Sequence, residues 1–165
     1  MKITVVRGDI TQQDVDAIVT SANIPLRGGG GVDAAVHAAA GPELLRACRA
    51  LAPCLAGSAV ITPAFKLAPV RWVIHAVGPI FSGQPGEADL LASAYTSSLV
   101  HADEVGAKTV AFPSISTGSF GYPPEQAAVI SVAALRGAQT EVEQVSLVAY
   151  GGRVRQLWLD ALVTT

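Results

Sequence analysis

Cysteine is scarce in this chain: Cys48 and Cys54 are the only two. A pair of thiols in 165 residues makes no disulfide framework, so both are expected to be buried or half-buried free cysteines. Charge is sparse too, at 15% of residues, with a formal net charge of -2. Nucleic-acid binders usually carry a basic excess to neutralise phosphates, and its absence argues against a DNA or RNA partner. No apolar run is long enough to cross a bilayer, and Met1–Gly8 has too short an apolar stretch for a signal peptide. No membrane partner is expected, and the cytoplasm is the default location. Familiar catalytic signatures are missing as well. There is no G-K-[ST] for a nucleoside triphosphatase, no G-x-S-x-G elbow, and no H-E-x-x-H or Cys/His zinc spacing. No metal and no cofactor is expected. His37, His75 and His101 are scattered among Ala and Val, where histidines are usually hydrogen-bonded structural residues; His37 and His75 are also candidates for support behind a site.

What the chain does have is apolar residues, half of the total, in alternating short and long runs. Lys2–Val6, Asp16–Thr20, Ser58–Thr62, Trp72–Ala76, Thr109–Phe112 and Val145–Ala149 are short and rich in Val and Ile, as buried strands are. Asp33–Ala40, Glu43–Leu51, Ala88–Val105, Glu125–Ala138 and Val154–Val163 are longer and rich in Ala or Leu, and predict helices. Within the third, Leu91, Tyr95, Ser98, Leu99 and Ala102 share one face. Pro123 and Pro124 suit the start of the fourth, where a missing N–H costs little. This alternation predicts an α/β fold with a mainly parallel sheet covered on both faces. No linker, repeat or low-complexity tract divides residues 1–165, so a single domain is expected.

Ligands of such sheets bind at the loops leaving the carboxyl ends of the strands, and three of these loops carry unusual residues. Arg7-Gly8-Asp9-Ile10-Thr11 offers a carboxylate that can accept a hydrogen bond from an amine, or simply cap a turn. Thr20–Asp33 contains four consecutive glycines, Gly28 to Gly31, at the start of a helix, where free N–H groups favour an anion. Asn23 and Asp33 flank the glycines and can converge on sugar hydroxyls; the plainer reading makes Asp33 a helix-start acid beside a flexible loop. Gly29–Ala34 formally fits G-x-G-x-x-A, but Leu51–Leu55 lacks the acid expected about 20 positions later, so the dinucleotide fold fails. Pro113–Pro123 combines hydroxyls, two glycines and Phe120; its N–H groups can form an anion site suited to a diphosphate, or the segment is a tight turn with a core aromatic.

Taken in order, Gly8-Asp9-Ile10, Ser21-Ala22-Asn23, Gly28–Asp33, Ile74–Pro79 and Ile115–Pro123 resemble the motif series of the macro domain family. The likeness runs from Lys2 to about Leu162, and its two glycine-bearing loops resemble the MacroD-type branch that hydrolyses mono-ADP-ribose from proteins. The resemblance implies a three-layer α/β/α fold with a mixed central sheet, and an ADP-ribose cleft. Asp9 would then hold the adenine amine, Ile10 would give a backbone contact, and Tyr150 would lie on the base. Gly30, Gly31 and Val32 would line the ligand, and Ser116, Thr117, Gly118, Ser119 and Phe120 would wrap the diphosphate. Asn23 and Asp33 would address the distal ribose, where a water attacks with help from Asp33 and the substrate's phosphate. The implied partners are ADP-ribose and mono-ADP-ribosylated proteins. O-acetyl-ADP-ribose deacetylation and non-catalytic ADP-ribose reading are the alternatives. Family members commonly carry Asn-Ala-Ala-Asn where this chain has Thr20-Ser21-Ala22-Asn23, so Thr20 is expected to alter the loop's support.

Overall fold

A computed structural model describes every residue from Met1 to Thr165. Six strands, β1 (Lys2–Arg7), β2 (Ala17–Ser21), β3 (Ala59–Pro63), β4 (Trp72–Ala76), β5 (Thr109–Phe112) and β6 (Gln144–Ala149), form one sheet in the order β1-β6-β5-β2-β4-β3. All neighbours are parallel except β3 and β4, which are antiparallel. The sheet is therefore mixed. The reversal follows from the connection: residues 64–71 hold no helix, and a parallel crossover needs a longer return path than that.

Five helices, α1 (Gly31–Ala40), α2 (Glu43–Leu51), α3 (Glu87–Glu104), α4 (Pro124–Gly137) and α5 (Gly152–Thr164), cover the two faces. Side chains alternate along the strands, and the core divides accordingly. Ala17 and Val19 of β2 face the larger cluster, which includes Tyr95, Leu99, Val132 and Trp158 of α3, α4 and α5. Ile18 faces the smaller one, with Val36 and Leu44 of α1 and α2. The predicted α3 face is buried as expected, and Pro123 and Pro124 stand at the cap and first position of α4. Both cysteines are buried and free, and no helix is long and apolar enough to cross a membrane.

The topology sets up a crevice. β2 lies between β5 and β4, so the loops leaving all three open on one edge of the sheet. β2 and β5 pair only through Ala17–Val110 and Ile18–Ala111, so they part before their carboxyl ends. The gap between them holds the candidate site.

On the far side of β2 from that gap, His75 of β4 is 1% exposed. Its Nε2 lies 3.0 Å from the Thr62 hydroxyl, and the Cys48 thiol lies 3.7 Å from either ring nitrogen. Burial, reinforced by the nearby His37 ring, pushes the imidazole down to about 3, and burial together with Asp33 pushes the Cys48 thiol up to about 11. Both groups are neutral in the fold. Unfolded, His75 takes up a proton below about 6.5, so its contribution to stability is complete above that value and is lost as pH falls towards 3. At 1.36 kcal/mol per unit, that costs about 2 kcal/mol at pH 5 relative to neutral pH. Urea melts at pH 7 and pH 5 should show this loss in the wild type and a smaller one in His75→Gln. Parallel losses would assign the sensitivity to other groups.

Candidate active site

One wall of the crevice is the loop from β2 to α1. Gly31 has φ +58°, a left-handed conformation that a side chain resists, and Gly30 is the helix cap. The helix thus starts at Gly31 rather than at Asp33, because helix propensity undervalues glycines that the geometry requires here. Neither Gly30 nor Gly31 has an acceptor for its N–H, so the start of α1 is a positive rim without a partner. Asn23 staples the loop. Its Nδ2 donates to the Gly28 carbonyl at 3.2 Å and its Oδ1 accepts from the Arg27 N–H at 3.1 Å.

Asp33 is only 2% exposed, and its carboxylate is held on both sides. The Thr20 hydroxyl donates to Oδ1 at 2.8 Å, and the Gly29 N–H donates to Oδ2 at 2.8 Å. His37 places Nε2 3.6 Å from Oδ1, one helical turn along α1. Thr20 is itself completely buried. The altered residue of the second motif therefore acts on the acid: its single hydroxyl orients Asp33.

The opposite wall is the loop from β5 to α4. Ser116 has φ +67°, and its carbonyl accepts from Tyr122 N–H at 2.9 Å, closing the loop on itself. The buried Tyr95 of α3 braces it from below, donating to the Pro113 carbonyl at 3.2 Å and accepting from Ile115 N–H at 3.1 Å. Phe81 N–H donates to the Phe120 carbonyl, and the Phe81 and Tyr122 rings pack edge to face at 5.0 Å. With the loop fixed in this way, the five successive N–H groups from Ser116 to Phe120 have no acceptor anywhere in the protein. The Ser116 hydroxyl is buried and unpartnered as well.

Gly78, just past β4, packs against Ser116 of this second wall. A Cβ there would collide with Ser116 Oγ and sit 2.7 Å from Ile115 Cγ2. The close approach of these two segments requires glycine.

Between the walls is a cavity of about 260 Å³. Asn23, Gly30, Gly31, Val32 and Asp33 line it on one side, and Ser116, Gly118, Ser119 and Phe120 on the other. The structure thus brings together nine of the residues singled out by sequence. Thr117 is in the same loop but outside the lining, its hydroxyl turned to Ser114. Asp9, Ile10 and Tyr150 also lie outside the cavity. The Asp9 carboxylate accepts from the Thr11 N–H and hydroxyl, capping a 3-10 turn at Ile10–Gln12. The Ile10 side chain is in the core, and Tyr150 is 87% exposed. Sequence reasoning missed Ser21, Ala22, Gly29, Pro113 and Ser114 as lining residues, although each stands inside a quoted motif or loop. It also missed Tyr95 and Gly78 as supports, although Gly78 stands inside the quoted Ile74–Pro79 motif.

This geometry has close counterparts. The macro domain family matches residues 19–131. A macro domain-containing protein of Chlorobaculum tepidum is 49% identical, over 97% of this chain and 95% of its own. A Salmonella gallinarum protein named O-acetyl-ADP-ribose deacetylase is 47% identical, over 98% of this chain and 94% of its own. Among solved structures, the Oceanobacillus iheyensis macrodomain with ADP superposes with a TM-score of 0.92 at 38% identity, covering 97% of this chain and 89% of that one. A Trypanosoma brucei macrodomain in complex with ADP-ribose gives 0.88 at 32% identity, covering 97% and 68%. With the mixed six-stranded sheet, its two glycine-bearing loops and full-length relatives in agreement, the chain belongs to the macro domain family.

Proposed function

We propose that the chain binds ADP-ribose and hydrolyses the ester that joins it to an acidic side chain of a modified protein. The observation that carries this reading is the pairing across one cavity of five unsatisfied N–H groups, Ser116 to Phe120, with a fixed carboxylate at Asp33. Convergent amide donors suit a diphosphate, and the Ser116 hydroxyl adds another donor. Phe120 offers an apolar face for a ribose. Asn23 retains one amide hydrogen and one lone pair for the distal sugar beyond its two loop bonds. On the open side, Asp9 retains Oδ2 for the adenine amine, Ile10 offers its backbone, and the exposed Tyr150 ring is available to the base. The related structures holding ADP and ADP-ribose support the ligand class.

In the reaction, a water oxygen forms a bond to the anomeric carbon of the distal ribose while the bond from that carbon to the ester oxygen breaks. The electron pair leaves with the protein carboxylate, and the water proton passes to a substrate phosphate oxygen. Asp33 orients the water or the ribose hydroxyls. A carboxylate is a good leaving group, so no covalent nucleophile is needed. The O-acetyl ester of ADP-ribose fits the same cavity, and a 47% identical relative carries that activity in its name. A reader without turnover is the rival, favoured by how fully Asp33 is engaged within the protein.

Incubation with protein automodified on glutamate should release free ADP-ribose and restore the unmodified side chain. Binding without release would establish the reader; release of acetate alone, from O-acetyl-ADP-ribose, would establish the deacetylase.

A further inference from the structure

The Asn23–Gly29 loop has a second side. Away from the cavity, Pro25 and Arg27 face Leu45 and Arg49 of α2 and the Ala52–Pro53 segment across an open groove. The backbone joins the two sites directly: Arg27 N–H bonds Asn23 Oδ1, and Asn23 and Gly29 line the cavity. The groove and the cavity's Asn23 end are thus two sides of one short loop.

The groove is basic, with Arg27 and Arg49 in its lining and no carboxylate. Between residues 21 and 66 stand four cations, Arg27, Arg46, Arg49 and Lys66, and only two carboxylates, Asp33 and Glu43, in a chain whose net charge is -2. Asp33 is sunk in the cavity. Arg27 and Arg49 are exposed, and neither forms an ion pair or a side-chain hydrogen bond. Ile24 and Leu55, 42% and 65% exposed, flank them, held together by the Cys54 N–H to Ile24 carbonyl bond. Free guanidinium groups beside exposed aliphatic side chains suit a polypeptide that carries carboxylates.

We propose that this groove docks the acidic segment of the modified protein, with Arg27 and Arg49 pairing carboxylates that flank the ADP-ribosylated residue. The proposal rests on the ester-hydrolase reading and assigns its substrate class: acidic sequence around the modified side chain. Each exposed pair contributes little by itself, so two pairs with aliphatic contact should tighten binding by about tenfold.

Calorimetry tests it with four probes: free ADP-ribose, an acidic peptide bearing a non-hydrolysable ADP-ribosyl group, its neutral counterpart, and an oligonucleotide with ADP-ribose on a terminal phosphate. The acidic peptide should bind the wild type about tenfold more tightly than free ADP-ribose, and more tightly than the neutral peptide. R27E/R49E should erase that gain and leave the affinity for free ADP-ribose unchanged, since neither residue lines the cavity. Equal gains from acidic and neutral peptides, a larger gain from the oligonucleotide, or a gain that survives R27E/R49E would overturn the docking assignment alone. Failure of free ADP-ribose to bind the wild type would overturn the parent reading, and this one with it.

Discussion

Gly118→Glu should abolish ADP-ribose binding while leaving the protein folded. Gly118 lines the cavity, and a Cβ built on it meets nothing within 4 Å. Its φ is not in the left-handed region, so the backbone accepts a side chain without strain. The variant therefore keeps the sheet, the Tyr95 brace and the Ser116–Tyr122 closure. What changes is the sign of the site. A carboxylate placed among the N–H groups of Ser116 to Phe120 occupies the position of the diphosphate and repels it, and like charges brought together cost several kcal/mol. Since about 1.4 kcal/mol is tenfold, affinity should fall by more than about 100-fold in calorimetry. Thermal melting should stay close to the wild type. A folded variant with unchanged affinity would mean that the diphosphate lies elsewhere.

Asp33→Ala should cost turnover far more than affinity. If the carboxylate orients or deprotonates the attacking water, its loss should lower kcat by about 10²–10⁴, as for general acid–base groups. Affinity should change by less than about 3 kcal/mol, the upper range for a hydrogen bond to a charged group. The structure adds a stability cost to this experiment. Removing the carboxylate leaves the Thr20 hydroxyl and Gly29 N–H without an acceptor, at about 1–3 kcal/mol for a buried orphan, so melting curves must accompany the rates. Asp33→Asn is no neutral control either. An amide has one accepting and one donating end, and two donors face it, so one contact turns repulsive. Thr20→Val is the gentler companion. It removes only the hydroxyl that points Asp33, and it should lower kcat by about tenfold with little change in ADP-ribose affinity, while Thr20→Ser keeps the rate. Wild-type turnover in folded Asp33→Ala would remove this residue from the mechanism.

Much of this site is legible in the sequence. The strands and helices followed from short β-branched runs and longer Ala- and Leu-rich ones, and each lies within two residues of its expected span. The largest slips, two residues each at the starts of α1 and α5, came from glycines that local propensity reads as loop. The lining loops stood out because four glycines in a row and a run of hydroxyls are costly or uncommon without a geometric need. Long-range partners were invisible. Nothing near Thr20 says that its hydroxyl reaches an acid 13 positions later, or near Tyr95 that its phenol catches an amide 20 positions on. Periodicity correctly buried Tyr95 but is silent on which backbone it holds. The sparse pairing of β2 with β5, which opens the crevice, is likewise a property of the assembled sheet.

The contact between Gly78 and Ser116 gives this cleft an uneven tolerance for change. The packing there leaves room for a hydrogen atom only: any side chain at Gly78 strikes Ser116 Oγ and Ile115. The walls, by contrast, offer open space above Gly118. Variation can therefore enter along the rim, altering what the cavity accepts, while Gly78 stays fixed because the first methyl group there displaces the Ser116 loop. A lineage exploring new ligands, or a library built to do the same, would diversify at the walls and inherit Gly78 unchanged.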